Sequence, residues 1–225
     1  DRAFDSAFNN GGVDTRRFVP LATWTHLAIS REDTIWRVHV GGVLDGSSRI
    51  LDSDLSAGGL LIGRSCRPPG TSFTTFNNGF VGSSTGPLAN FSGFLADIRF
   101  TLGTARYHRS FQPRSAPIQY TPAGPPLSLP AGAEPAESGV ATTDLTFNRV
   151  LLFARMNGND NVFRDSSPYD HSIIPFGNAT QVAGGKWGGN QATFDAFGDW
   201  MEVPANPVLA LGTGDFTVTL WATRT

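Results

Sequence analysis

The stretch GFLADIRFTLGTARYHRSFQP, residues 93–113, decides the fold class. Its first half alternates. Phe94, Ala96, Ile98 and Phe100 fall on one predicted face; Leu95, Asp97, Arg99 and Thr101 fall on the other. A period of two marks a β-strand, and side chains of mixed character on the two faces place it inside a sheet beside polar neighbours. The second half is not a long helix, because Pro113 and Pro117 close it off. It reads instead as closure. Arg106 caps carbonyls or meets a carboxylate, the Tyr107 ring packs on the sheet, and Phe111 plugs an edge before Pro113. Asp97 and Arg99 are expected on the polar face, each paired with a neighbour. The end of a domain thus falls in the middle of the chain.

Other strands follow on both sides. In THLAIS, Leu27 and Ile29 oppose His26 and Ala28; in TIWRVHV, Trp36, Val38 and Val40 alternate with Arg37 and His39. These are half-buried strand patterns, with the two histidines expected to be partly exposed. Glycines between VHV and VLDGSS read as a hairpin turn, and GGLLIG as a short apolar strand. A long Gly/Ser/Asn-rich loop follows, with Phe73, Phe76 and Phe80 as its anchors to the sheet or, alternatively, as an exposed ligand platform. From 113 to 137 the composition turns to Pro and Ala without periodicity, which suits a semi-rigid extended connector. Beyond it, LTFNRVLLFARMNG, QATFDAFG, DWMEVP and GTGDFTVTLWATRT read as strands. In the last, Phe216, Val218 and Leu220 oppose Thr217, Thr219 and Trp221, and so apolar a strand requires a neighbour. No amphipathic helix competes, so the expected fold is all-β, a sandwich of antiparallel sheets.

Composition narrows the function. The 225 residues carry a formal net charge of -2, which argues against a nucleic-acid partner, since duplex binding needs a basic field. Charged residues make up 16%, against roughly a quarter in ordinary domains, while 40% are hydrophobic, enough for a substantial core. A single cysteine, Cys66, rules out an intrachain disulfide framework. No apolar run is long enough for membrane insertion as a helix. The sequons at Asn90 and Asn178 are short patterns that arise by chance and need a secretory compartment to matter.

The chemistry-bearing patterns are sparse. Retaining glycoside hydrolysis needs two carboxyl groups about 5 Å apart. Asp52 and Asp54, or Asp195 and Asp199, have suitable spacing but sit among turn residues, so no catalytic residues are assigned. Calcium takes oxygen ligands from flexible loops, and MNGNDNVFRDSSPYD offers Asn157, Asn159, Asp160, Asp165 and Asp170, although the EF-hand pattern is not met. Asx-turns explain the same letters without a cation. No other cofactor is called for, since phosphate and dinucleotide loops are lacking. Trp187, flanked by glycines in GGKWGGN, is the candidate ligand platform, with a packed loop anchor as its alternative.

Together, TWTHLAISREDTIWRVHVGG, LLIGRS and FSGFLADIRFTLGTARYHRSFQPRSAP resemble the C-terminal part of a concanavalin A-like, laminin-G-type jelly-roll domain of phage and bacterial surface proteins. Gly93, Phe94, Asp97, Arg99, Gly103, Ala105, Arg106, Tyr107, Phe111 and Pro113 fit the family's pattern. LLFARMNGND, FRDSSPYDHSI and FDAFGDWMEVPANPVLALGTGDFTVTLWAT resemble its N-terminal part. Thr219 and Arg155 depart from residues common in the family, which weakens the calcium expectation. The resemblance implies two complementary partial domains in reversed order: 1–118 as a C-terminal part, 119–140 as linker, 141–225 as an N-terminal part. Either the chain is a window on tandem domains, or the halves pair into one permuted or intermolecular sandwich. Its opening, DRAFDSAFNN, without Met, suits a window or a processed chain. The resemblance further implies a non-catalytic structural and adhesion module at a virion or extracellular surface. Its partners would be copies of itself, neighbouring surface or virion proteins, or glycans. A carbohydrate-binding module is the alternative, and a glycan hydrolase a weaker one.

Overall fold

The computed structural model describes residues 17, 19–49, 60–63, 78–80, 91–117 and 149–225. Asp52, Asp54, Cys66, Phe73, Phe76, Asn90 and the 119–140 linker lie outside the described residues. Among the described residues twelve strands follow in chain order: β1 (Thr25–Glu32), β2 (Ile35–Val40), β3 (Val43–Arg49), β4 (Leu60–Ile62), β5 (Asn78–Phe80), β6 (Ser92–Leu102), β7 (Val150–Ala154), β8 (Ile174–Phe176), β9 (Thr180–Ala183), β10 (Asn190–Asp195), β11 (Trp200–Val203) and β12 (Phe216–Arg224). They form two sheets. The larger runs β3-β2-β1-β12-β6-β10-β9, with β7 also on β6; the smaller runs β5-β4-β11-β8. Pairing is antiparallel throughout except between β4 and β5, which are parallel.

Both halves of the chain contribute strands to each sheet, and in the larger sheet they interleave. β12 lies between β1 and β6, with Thr25 opposite Ala222 on one side and Phe216 opposite Leu102 on the other. On the far edge of β6, β10 pairs along Ser92–Leu95 and β7 along Ile98–Thr101. In the smaller sheet, Met201 of β11 faces Ile62 of β4. Without the later strands, β1 and β6 would each present a bare edge, and a row of unpaired backbone donors and acceptors is costly to leave buried.

One contiguous core joins the sheets. Leu27, Ile29, Trp36, Val38, Leu95, Ile98, Phe100, Phe194, Phe216, Val218 and Leu220 enter it from the larger sheet, and Leu60, Ile62, Met201 and Val203 from the smaller. Trp36 and Phe216 meet edge to face at 5.2 Å, a favoured geometry for aromatic quadrupoles. Burial of each such side chain contributes about 1.5–3 kcal/mol, enough to hold the sheets face to face. The result is an all-β protein of sandwich type.

β6 breaks the simple alternation read from its sequence. Thr219 faces Arg99 and Trp221 faces Ala96, so two steps along β12 answer three along β6. The extra residue is at Asp97, whose φ of 49° is left-handed and rare outside glycine. The bulge moves Leu95 to the core face with Ile98 and Phe100, and takes Phe94 and Ala96 out of that set. Period-two counting has no term for an inserted residue. The histidines also differ from expectation: His26 and His39 are buried. The face they occupy, which would meet solvent in a two-layer sandwich, is covered by residues 103–117.

Candidate functional site: the outer face of the larger sheet

The side of the larger sheet away from the core carries a dense polar and aromatic layer. Alternation along β1, β2, β6 and β12 sends His26, Ser30, His39, Arg99, Thr217, Thr219 and Trp221 to this side, and all are buried. Two segments cover them: the closing run after β6, and the glycine-flanked loop between β9 and β10.

The closing run is fastened by backbone and hydroxyl groups. Thr217 Oγ1 accepts from Arg106 N at 2.8 Å and donates to Thr104 O at 2.9 Å. Ser30 Oγ donates to Tyr107 O at 2.9 Å, and Leu44 N donates to Ser110 Oγ at 2.9 Å. Phe111 N donates to Gly42 O at 2.8 Å. A Cβ on Gly42 would stand 2.2 Å from Phe111 O, so only glycine permits this approach. Tyr107 and half-buried Phe111 stack at 3.8 Å with planes 10° apart. His26 meets Phe111 edge-on at 5.5 Å, and His39 meets Tyr107 at 5.8 Å. Burial is the main force lowering the His39 pKa to about 4, so its ring is neutral at physiological pH. At the rim, Glu32 Oε2 lies 3.0 Å from an Arg37 guanidinium nitrogen and 3.1 Å from His108 Nδ1.

The second cover centres on Trp187. Its Nε1 donates to Asp97 Oδ2 at 2.6 Å, and its ring meets Trp221 edge to face at 5.5 Å. Lys186 Nζ lies 4.6 Å from the Trp187 ring centroid and 4.4 Å from that of Trp221, a doubled cation–π contact. Asp97 is buried, and that burial raises its pKa against the lowering influence of Arg114, the Trp187 hydrogen bond and Arg155. Gly184, Gly188 and Gly189 have left-handed φ values of 102°, 78° and 95°, which lets the short loop turn Trp187 back onto the sheet. Trp187 is half-buried here and its indole N–H is spent on Asp97.

The loop residues read as cation ligands separate into different surroundings. Asp165 is buried: its Oδ1 accepts from Phe153 N and Ser167 N, each at 2.8 Å, and its Oδ2 from His171 N at 3.0 Å and His171 Nδ1 at 2.8 Å. Ser167 Oγ stands 2.7 Å from Oδ2 and 3.0 Å from Leu151 O, so its one proton lies between two acceptors. Burial pushes the Asp165 pKa up, but these donors outweigh it and the net shift is downward. Asp160 is exposed and paired with Arg164, whose hydrogen bond is the main cause lowering it to about 2. Asn157, Asn159 and Asp170 are exposed. Among the described residues no group of three or more His, Cys, Asp or Glu side chains is placed to hold a metal ion.

Asp195 and Asp199 also serve turns. Asp199 is buried and accepts from Asn178 N at 2.7 Å and Asp195 N at 3.0 Å. Asp195 accepts from Phe197 N at 2.7 Å and from Asn178 Nδ2 at 3.1 Å. Sequence reading did not single out Lys186, nor the joint burial of His26 and His39. The outward parity of the two histidines is visible in the strand pattern, but the layer that covers them is not. Comparison with protein-family models, with curated proteins and with solved structures finds no match. No helix among the described residues is long and apolar enough to cross a membrane.

Proposed function

We propose that this chain is a non-catalytic structural and adhesion module of an extracellular surface assembly, such as a phage virion, of the laminin-G-like jelly-roll kind. The observation that carries the reading is the sharing of both sheets between the two halves of the chain. A segment that completes a neighbouring segment within one chain can do the same between adjoining units of an array. β3 and β9 are the outermost strands of the larger sheet among the described residues and offer edges for pairing with a neighbour. The buried carboxylates Asp165 and Asp199 are engaged by backbone donors, which suits scaffolding better than acid–base work.

Sedimentation of the full chain across a wide concentration range tests this. Reversible association into defined oligomers or arrays is expected. A strict monomer at every concentration, or release of reducing sugar from glycan substrates, would overturn it.

A further inference from the structure

We infer that the corner where the β8–β9 and β10–β11 turns meet is a glycan-contact site, with Phe197, Phe176 and Trp200 forming the platform for a pyranose ring. This deepens the adhesion part of the reading above and rests on it. Phe197 is 85% exposed, the most exposed of the large hydrophobic residues described. An aromatic ring so placed forfeits its burial, and here the backbone beneath it is fixed rather than loose. Phe197 N donates to Asp195 Oδ1, Asp195 N to Asp199 Oδ2 and Ala196 N to Phe91 O at 3.2 Å. Ala196 is held at φ 69° and Gly198 at φ 83°.

The same brace ties in the other turn, through Asp199 Oδ1 to Asn178 N. A Cβ on Gly177 would lie 2.5 Å from Gly198 O, so the two turns touch backbone to backbone at these glycines. Phe176 adjoins one glycine and Phe197 the other. Phe176 faces Trp200 across β8 and β11, and their rings stack at 4.5 Å with planes 7° apart. Both rings are half-buried, and Met201, next to Trp200, points into the core, so Trp200 points outward. At the rim, the Asn178 amide and Asp195 carboxylate are linked at 3.1 Å. Flat rings backed by a rigid turn, with an amide and a carboxylate beside them, suit the apolar face and hydroxyl edge of a sugar. An exposed, pre-ordered platform also avoids the cost of ordering side chains on contact.

The test is a glycan microarray probed with the labelled full chain, with the strongest hit titrated against variants. Phe197→Ala should weaken binding about tenfold or more, the equivalent of one lost ring contact. Phe197→Tyr should retain it, and so should Trp187→Phe on the opposite sheet. Phe197 is surface-exposed, so an unchanged circular dichroism melt is expected for its variants. Three results would each overturn the proposal: no glycan bound above background, binding indifferent to Phe197→Ala, or Phe197→Ala abolishing self-association while glycan binding stays intact. The last would make the corner an interface between copies. Sedimentation reads assembly and the array reads glycan contact, so either reading can fail alone.

Discussion

Asp97 and Asp165 are both buried aspartates, and β7 reaches toward each of them, but their surroundings act in opposite directions. Asp165 receives N–H donors from Phe153, Ser167 and His171, and its pKa is lowered despite burial. Asp97 sits on a left-handed bulge with the indole N–H of Trp187 as its hydrogen-bond donor, and its burial raises its pKa. Burial alone therefore does not fix the state of a carboxylate; the number of donors aimed at it does. The first site is a folding staple. The second holds strain and a disfavoured charge beneath the Trp187 loop.

The largest effect should come from the staple. In Asp165→Asn, the amide NH2 replaces one acceptor and leaves buried donors unmatched. A loss of roughly 3–5 kcal/mol is expected in urea unfolding. A loss below 1 kcal/mol would remove the distinction between the two aspartates.

Acid should act next. The folded-state pKa of His39 lies below its unfolded value, so the unfolded chain binds the proton first, and stability falls as pH drops from 6.5 toward about 4. The full loss is roughly 3 kcal/mol, and His39→Gln should flatten that window in pH-dependent unfolding. Asp165 adds to acid sensitivity lower down: its contribution is present above the unfolded carboxylate pKa and disappears as pH falls through its depressed folded value. Phe111→Ala should cost about 2–3 kcal/mol by thermal melting, less than for a fully buried ring, because Phe111 is half-buried. An unchanged melting temperature would mean the closing run is not fastened through that ring.

Asp97→Asn should have the smallest effect, and of opposite sign. A raised folded pKa means stability is lost as pH rises from the unfolded value through the folded one. Asn removes that loss and can still accept from Trp187. The variant should therefore gain on the parent as pH rises above the ordinary carboxylate range, while Asp165→Asn should not.

Much of this fold is legible in the sequence. Period-two patterns locate β1, β2, β6, β10, β11 and β12, because each sends an apolar set of alternate side chains into the core. β8 and β9 escape that reading, since their residues are half-buried or exposed and leave no apolar stripe. The Asp97 bulge is invisible to alternation, since an inserted residue breaks the count without a glycine to mark it. GGKWGGN announces that Trp187 is set apart. Only the long-range partner, 90 residues away in sequence, explains what it is set against.

The central claim is that β12 closes the sandwich between β1 and β6 of its own chain. Cysteines at the opposed pair Thr25 and Ala222, in a Cys66→Ser background, test it directly, since facing antiparallel residues are within disulfide reach. Mild oxidation should give a cross-linked monomer on non-reducing gels, with the unfolding midpoint raised. Absence of a cross-link, or cross-linked dimers alone, would contradict the pairing of the two halves within one chain.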